Sequence, residues 1–179
     1  GELSGVVAGE FGKNADGTPG PSYEPGMVLS GKYVFLSEGV RGSLSKEVIA
    51  KFTLDSRCDI AKFGIGMKEI WEIDPEKHNE GEVTHTLGWP VGFKNGGGSF
   101  IYHLENNQVY VGYIIDLNYK NPYIFPYMEF QRFKHHPKVA ELLKGGKRIS
   151  YGARAVTKGG FQSIPEVAFP GGALLGCSA

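Results

Sequence analysis

The 179-residue chain carries 19 basic and 19 acidic side chains, a formal net charge of zero, and 41% hydrophobic residues. That balance lacks the basic excess that nucleic-acid binding draws on, and it permits association with a surface. No apolar run approaches the ~20 residues of a membrane-spanning helix. The two cysteines, Cys58 and Cys177, form no CxxC, which argues against a disulfide framework or a cysteine metal site.

The chain opens at Gly1-Glu2-Leu3-Ser4-Gly5-Val6-Val7-Ala8 as a strand already under way. A turn at Asn14-Ala15-Asp16-Gly17 predicts a hairpin. Apolar runs at Met27–Leu29 and Tyr33–Leu36 follow, then Ser37-Glu38-Gly39-Val40-Arg41-Gly42 and a helix from Ser43 to Phe52 with Leu44, Val48 and Ile49 on its apolar face. The middle alternates in strand fashion: Phe63, Ile65 and Met67; Val83, His85, Leu87 and Trp89; Phe100, Tyr102 and Leu104; Val109, Val111, Tyr113, Ile115 and Leu117. Short, turn-rich links predict an antiparallel meander. Pro126 and Pro137 each predict a helix start, and Gly145-Gly146 a helix end. Arg148–Val156 alternates as a strand, Gly159-Gly160 and Pro165 break the pattern, and Ala173–Leu175 is the last strand. Both ends read as unfinished, so a segment of a longer protein is expected.

One element stands out chemically. Gly96-Gly97-Gly98 enters the strand Ser99-Phe100-Ile101-Tyr102-His103-Leu104. Consecutive glycines remove every Cβ, so backbone N–H groups there can approach a flat ligand closely. His85 and His103, on predicted strands, are candidates to supply protons or to be hydrogen-bonded structural histidines. The adjacent His135 and His136 point in different directions on a helix, which is poor geometry for a shared metal.

Several long strings resemble the electron transfer flavoprotein–ubiquinone oxidoreductase family. They are Gly145-Gly146-Lys147-Arg148-Ile149-Ser150-Tyr151-Gly152-Ala153-Arg154-Ala155, Gly159–Pro165, Glu129–Pro137, Phe169–Ser178, Gly64–Trp71 and His85–Pro90. The likeness covers essentially the whole chain. It implies an α+β fold in which an antiparallel-sheet ubiquinone-binding domain, residues 56–158, is inserted into part of a glutathione-reductase-type FAD-binding domain, residues 1–55 and 159–179. It also implies electron flow from reduced electron transfer flavoprotein, through FAD and a [4Fe–4S] cluster, to the ubiquinone pool. The cluster ligands and the dinucleotide fingerprint of the family are not in this sequence, so the chain alone is expected to be inactive.

The resemblance also assigns residues. Gly97 and Gly98 match the pair whose backbone contacts the ubiquinone headgroup; the family often has an aromatic residue before the pair, where this chain has Gly96. Glu38 and Gly39 match a turn near FAD, although related enzymes usually carry Asp-Gly there. Gly176, Cys177 and Ser178 fall where the wider superfamily has a Gly-Asp turn on the flavin; a thiol cannot act as that carboxylate, so backbone contacts are expected. Cys58 reads as structural or surface. Because ubiquinone lives in the bilayer, the aromatic loop Tyr123-Ile124-Phe125-Pro126-Tyr127-Met128 is a candidate for peripheral contact with a mitochondrial inner or bacterial cytoplasmic membrane, or else a cover for the sheet. Two other functions stay open: a flavoprotein reductase of an isoprenoid lipid, and a redox-inactive quinone- or lipid-binding module.

Overall fold

The computed structural model describes all of residues 1–179, in two compact units: 1–59 with 164–179, and 60–163. In chain order the strands are β1 (Gly5–Ala8), β2 (Phe11–Lys13), β3 (Pro19–Glu24), β4 (Met27–Ser30), β5 (Val34–Leu36), β6 (Phe63–Glu72), β7 (Val83–Thr86), β8 (Gly97–His103), β9 (Gln108–Asp116), β10 (Lys147–Thr157), β11 (Ala168–Phe169) and β12 (Gly172–Leu174). The helices are α1 (Ser43–Phe52), α2 (Pro126–Lys134) and α3 (Pro137–Leu143). The class is α+β, as the sequence predicts.

In the first unit, the Asn14–Gly17 turn joins β2 to β3, and Asp16 accepts from the Thr18 N–H at 2.9 Å. β1 pairs antiparallel with β4. β12 runs parallel to β5, with Leu174 opposite Leu36, so the loops after both strands leave from the same end. α1 covers this small sheet. It buries Val48 against Leu36, Leu54, Phe169 and Leu174, and it ends at Thr53, whose φ of 53° is left-handed.

The second unit is a five-stranded antiparallel sheet, ordered β10-β6-β9-β8-β7, with α2 and α3 on one face. Only β7, β8 and β9 form the expected meander. The residue 73–82 link, with a 3₁₀ turn at Pro75–Lys77, carries β6 past its sequence neighbour β7 to pair with β9. The reason is burial. Val109, Val111, Tyr113 and Ile115 of β9 are fully enclosed, and the β6 residues opposite them, Trp71, Glu69, Met67 and Ile65, extend the same covered face. Each such side chain contributes about 1.5–3 kcal/mol through the area it removes from water. α2 and α3 start at their prolines and close the face with Phe130, Phe133, Val139 and Leu143. The sequence placed Val83, His85, Leu87 and Trp89 in one strand. β7 stops at Thr86, because Gly88 adopts φ 89° and the chain turns there.

Candidate functional site

β8 begins at the glycine run. Gly97 adopts φ 132°, which a residue with a side chain rarely tolerates, and a Cβ there would run into the Ile114 carbonyl of β9. A Cβ on Gly98 would lie 2.5 Å from the Thr86 carbonyl oxygen and 3.3 Å from Leu87 Cδ2. Gly96 is confined too. Its Cβ would lie 2.6 Å from Cγ of Asp116, whose carboxylate is paired with Lys158. An aromatic residue at 96 would displace that ion pair, which accounts for the glycine here.

Leu87, next to this bend, also lines a pocket of about 480 Å³ between the β7–β8 edge and α2–α3. Its walls are apolar at Ile101, Phe133, Val139 and Leu142. Thr86 Oγ1 and Ser99 Oγ hydrogen-bond to each other beside the bend. Trp89 forms part of the wall under the Arg132 guanidinium, which lies 5.4 Å from the indole centroid and bonds the buried Glu129 at 2.8 Å.

His103 lines the same pocket and is 7% exposed. Its Nδ1 accepts the Asn79 N–H at 3.0 Å, so the neutral ring carries its proton on Nε2. Burial holds this imidazole below its usual pKa, and the neighbouring His78 acts in the same direction against an opposing Glu82. A ring with Nδ1 committed as acceptor is a fixed hydrogen-bond donor; the geometry disfavours it as a proton source. His85 is different. It pairs with Phe100 across the strands, on the sheet face opposite the helices, and its Nε2 lies 2.9 Å from the Tyr102 hydroxyl. The two histidines that the sequence put forward together therefore face opposite sides of the sheet. His135 is an α2 cap and His136 precedes Pro137 at the start of α3.

In the first unit the parallel pairing of β5 and β12 brings two predicted segments together. The Ser178 hydroxyl donates to the Gly39 carbonyl at 3.3 Å. Gly39 (φ 81°) and Gly176 (φ 59°) both face open space where a Cβ would sit. Both glycines lie just beyond the carboxyl ends of the parallel pair β5 and β12, the end of a strand pair where α/β sheets receive nucleotide ligands. Glu38 is turned elsewhere: its carboxylate accepts the Ser45 N–H at 2.7 Å, the Ser45 hydroxyl at 2.7 Å and the Leu44 N–H at 3.3 Å. It caps α1, whose own N-cap, Gly42, has no side chain to do so. The Ser45 hydroxyl, more than any other contact, holds the Glu38 carboxyl below its ordinary pKa.

One group escaped the sequence reading. Glu69, 3% exposed, accepts from Lys134 Nζ at 2.8 and 2.9 Å, Trp71 Nε1 at 2.8 Å and Arg148 Nη1 at 3.1 Å. Its position between Met67 and Trp71, on the inward face of an alternating strand, was the available signal. In the aromatic loop, Ile124 joins the core, while Tyr123 and Phe125 stand exposed. Cys58 lies near the surface, its thiol directed at the Asp55 carbonyl at 3.5 Å. No helix is long and apolar enough to cross a membrane.

Among solved structures, a geranylgeranyl bacteriochlorophyll reductase-like protein from Thermoplasma acidophilum aligns with 85% of this chain and 35% of its own, at a TM-score of 0.59 and 18% identity. The triple mutant of the flavin-dependent brominase Bmp2 aligns with 97% of this chain and 43% of its own, at a TM-score of 0.57 and 12% identity. At such identities the fold alone is what is shared. A family model described as ETF-QO, ubiquinone-binding, matches residues 63–156. The electron transfer flavoprotein-ubiquinone oxidoreductase of Pseudomonas aeruginosa is 56% identical over 178 residues, covering 99% of this chain and 32% of that protein. The mitochondrial protein of the same name from Rattus norvegicus is 47% identical over 180 residues, covering 99% of this chain and 29% of that protein. The chain belongs to the electron transfer flavoprotein–ubiquinone oxidoreductase family, and it spans about a third of the length of these relatives.

Proposed function

We propose that this chain forms the ubiquinone-binding part of an oxidoreductase that takes electrons from reduced electron transfer flavoprotein and delivers them to ubiquinone. The observation that carries the reading is the glycine bend: Gly97 and Gly98 admit no side chain and lie within the family match. Backbone N–H groups at such a bend hydrogen-bond a quinone oxygen and stabilise the charge it gains on reduction. Residues 56–158 are assigned to quinone, and 1–55 with 159–179 to the surrounding FAD domain into which they are inserted. Gly39 and Gly176–Ser178 would hold FAD through backbone groups, with Glu38 shaping the turn by capping α1 and Cys177 contributing only its main chain. Bound there, FAD would supply the electron-carrying ring. The [4Fe–4S] ligands belong to sequence beyond this chain. The exposed Tyr123 and Phe125 suit shallow insertion at a bilayer surface, mitochondrial inner or bacterial cytoplasmic, where ubiquinone is drawn from the lipid.

The test is Gly98→Val in the full-length enzyme. Quinone reduction falls at least tenfold, while reduction of the flavin by electron transfer flavoprotein keeps its rate. Equal loss of both activities, or loss of neither, contradicts the assignment.

A further inference from the structure

The sheet face opposite the helices carries a feature that the family match does not assign. Phe100 and Tyr102 of β8 point to that face, as do their cross-strand partners His85 and Val83 of β7 and Gly112 and Tyr110 of β9. A Cβ on Gly112 would fall inside the Phe100 ring, 2.8 Å from Cε2 and closer still to other ring atoms. The ring therefore lies down over the Gly112 backbone instead of standing off the sheet. Tyr102 sits beside it, ring centroids 4.8 Å apart, and His85 is 5.6 Å from Tyr102 and bonded to its hydroxyl. The result is a cluster of three rings, Tyr102 tilted by 35° to Phe100 and by 53° to His85, beginning two residues along β8 from Gly98.

We propose that the Phe100 ring, held flat by Gly112, is the platform against which the quinone ring packs, with His85 marking the end away from the glycine bend. The inference rests on the ubiquinone reading above and names the residues that select a planar ring. The spacing supports it. Two residues along a strand are about 6.7 Å and neighbouring strands lie about 4.8 Å apart, which puts His85, opposite Phe100, about 8 Å from Gly98. That interval is longer than one quinone ring, so a ring lying over Phe100 has Gly98 at one end and His85 at the other. The His85 Nδ1, which has no protein partner, is then the group for the far oxygen. Stacked aromatic contact adds binding beyond area alone and discriminates flat ligands from puckered ones.

The experiment uses the full-length enzyme, with KM and Kd for a short-tailed ubiquinone and flavin reduction by the electron donor measured side by side. Gly112→Ala lifts the Phe100 ring, and Phe100→Leu removes it without a clash. Each is expected to raise KM and Kd about two- to tenfold, the range that aromatic pairs contribute, with donor-side flavin reduction unchanged. The double variant Gly112→Ala/Phe100→Leu is expected to be no worse than Phe100→Leu, because both act through the same ring. Should Gly112→Ala fail to fold, Phe100→Leu decides alone. If Phe100→Leu leaves KM and Kd unchanged while Gly98→Val impairs quinone reduction, the platform is wrong and the quinone site stands. If Gly98→Val is also without effect, the quinone site itself is wrong.

Discussion

Glu69 offers the sharpest energetic test of how the unit of residues 60–163 is held together. Its carboxylate takes two bonds from Lys134 on α2 and one from Arg148 on β10, so it joins the sheet to the helix layer and to the edge strand. Replacing it with alanine strands these groups unequally. Arg148, 43% exposed, can turn to water; Lys134, 12% exposed and lying over the Trp71 and Phe130 rings, cannot. Breaking a buried pair from one side costs about 3–5 kcal/mol, and the escape of Arg148 places Glu69→Ala near the lower end, about 3 kcal/mol. Glu69→Met/Lys134→Met, which removes both buried charges, should lose less than Glu69→Ala. Both tryptophans, Trp71 and Trp89, lie in this unit, so urea unfolding followed by tryptophan fluorescence reports it directly. The pH dependence has a definite sign. Burial raises the Glu69 pKa, but the bonds from Lys134, Trp71 and Arg148 together bring it below the usual value of 4.5. A depressed folded-state pKa stabilises the fold above the unfolded-state value and ceases to do so as pH falls through the folded value. The gap between wild type and Glu69→Ala is therefore full at pH 7 and closes below about pH 4. A loss under about 1 kcal/mol at pH 7, or a gap that widens in acid, would refute the reasoning.

Two further outcomes are expected. Glu38→Ala removes the cap of α1 and costs about 1 kcal/mol, read as a lower thermal midpoint; Glu38→Gln, which retains an acceptor, recovers part of it. In ¹⁵N spectra, neutral His103 should show an acceptor-type Nδ1 and a protonated Nε2, with a titration midpoint below that of a free imidazole because of its burial; a neutral ring protonated on Nδ1 would contradict the Asn79 bond.

Much of this architecture was legible because periodicity follows burial. The alternation through Val109–Ile115 marks a central strand covered on one face, and Pro126 and Pro137 mark helix starts because a missing N–H costs nothing there. The position of β6 was not legible. Local pattern says that Phe63–Glu72 is a strand, but the choice of β9 over β7 as partner is made by the enclosed face of β9. The separation of His85 and His103 was not legible for a related reason: each lies on a strand, and only the register decides which face. Gly97 and Gly98 were conspicuous as letters, whereas the role of Gly112 depends on where the Phe100 ring lies across the strand. The meeting of Gly39 with Ser178 required the parallel pairing of two strands more than a hundred residues apart in sequence.

The location of the quinone is the central claim, and a crystal structure of the full-length enzyme with a bound ubiquinone tests it most directly. A ring oxygen is expected within about 3.2 Å of a backbone nitrogen of Gly97 or Gly98, with the ring face toward Phe100. A quinone ring bound elsewhere, with Gly97 and Gly98 contacting only solvent, would contradict it.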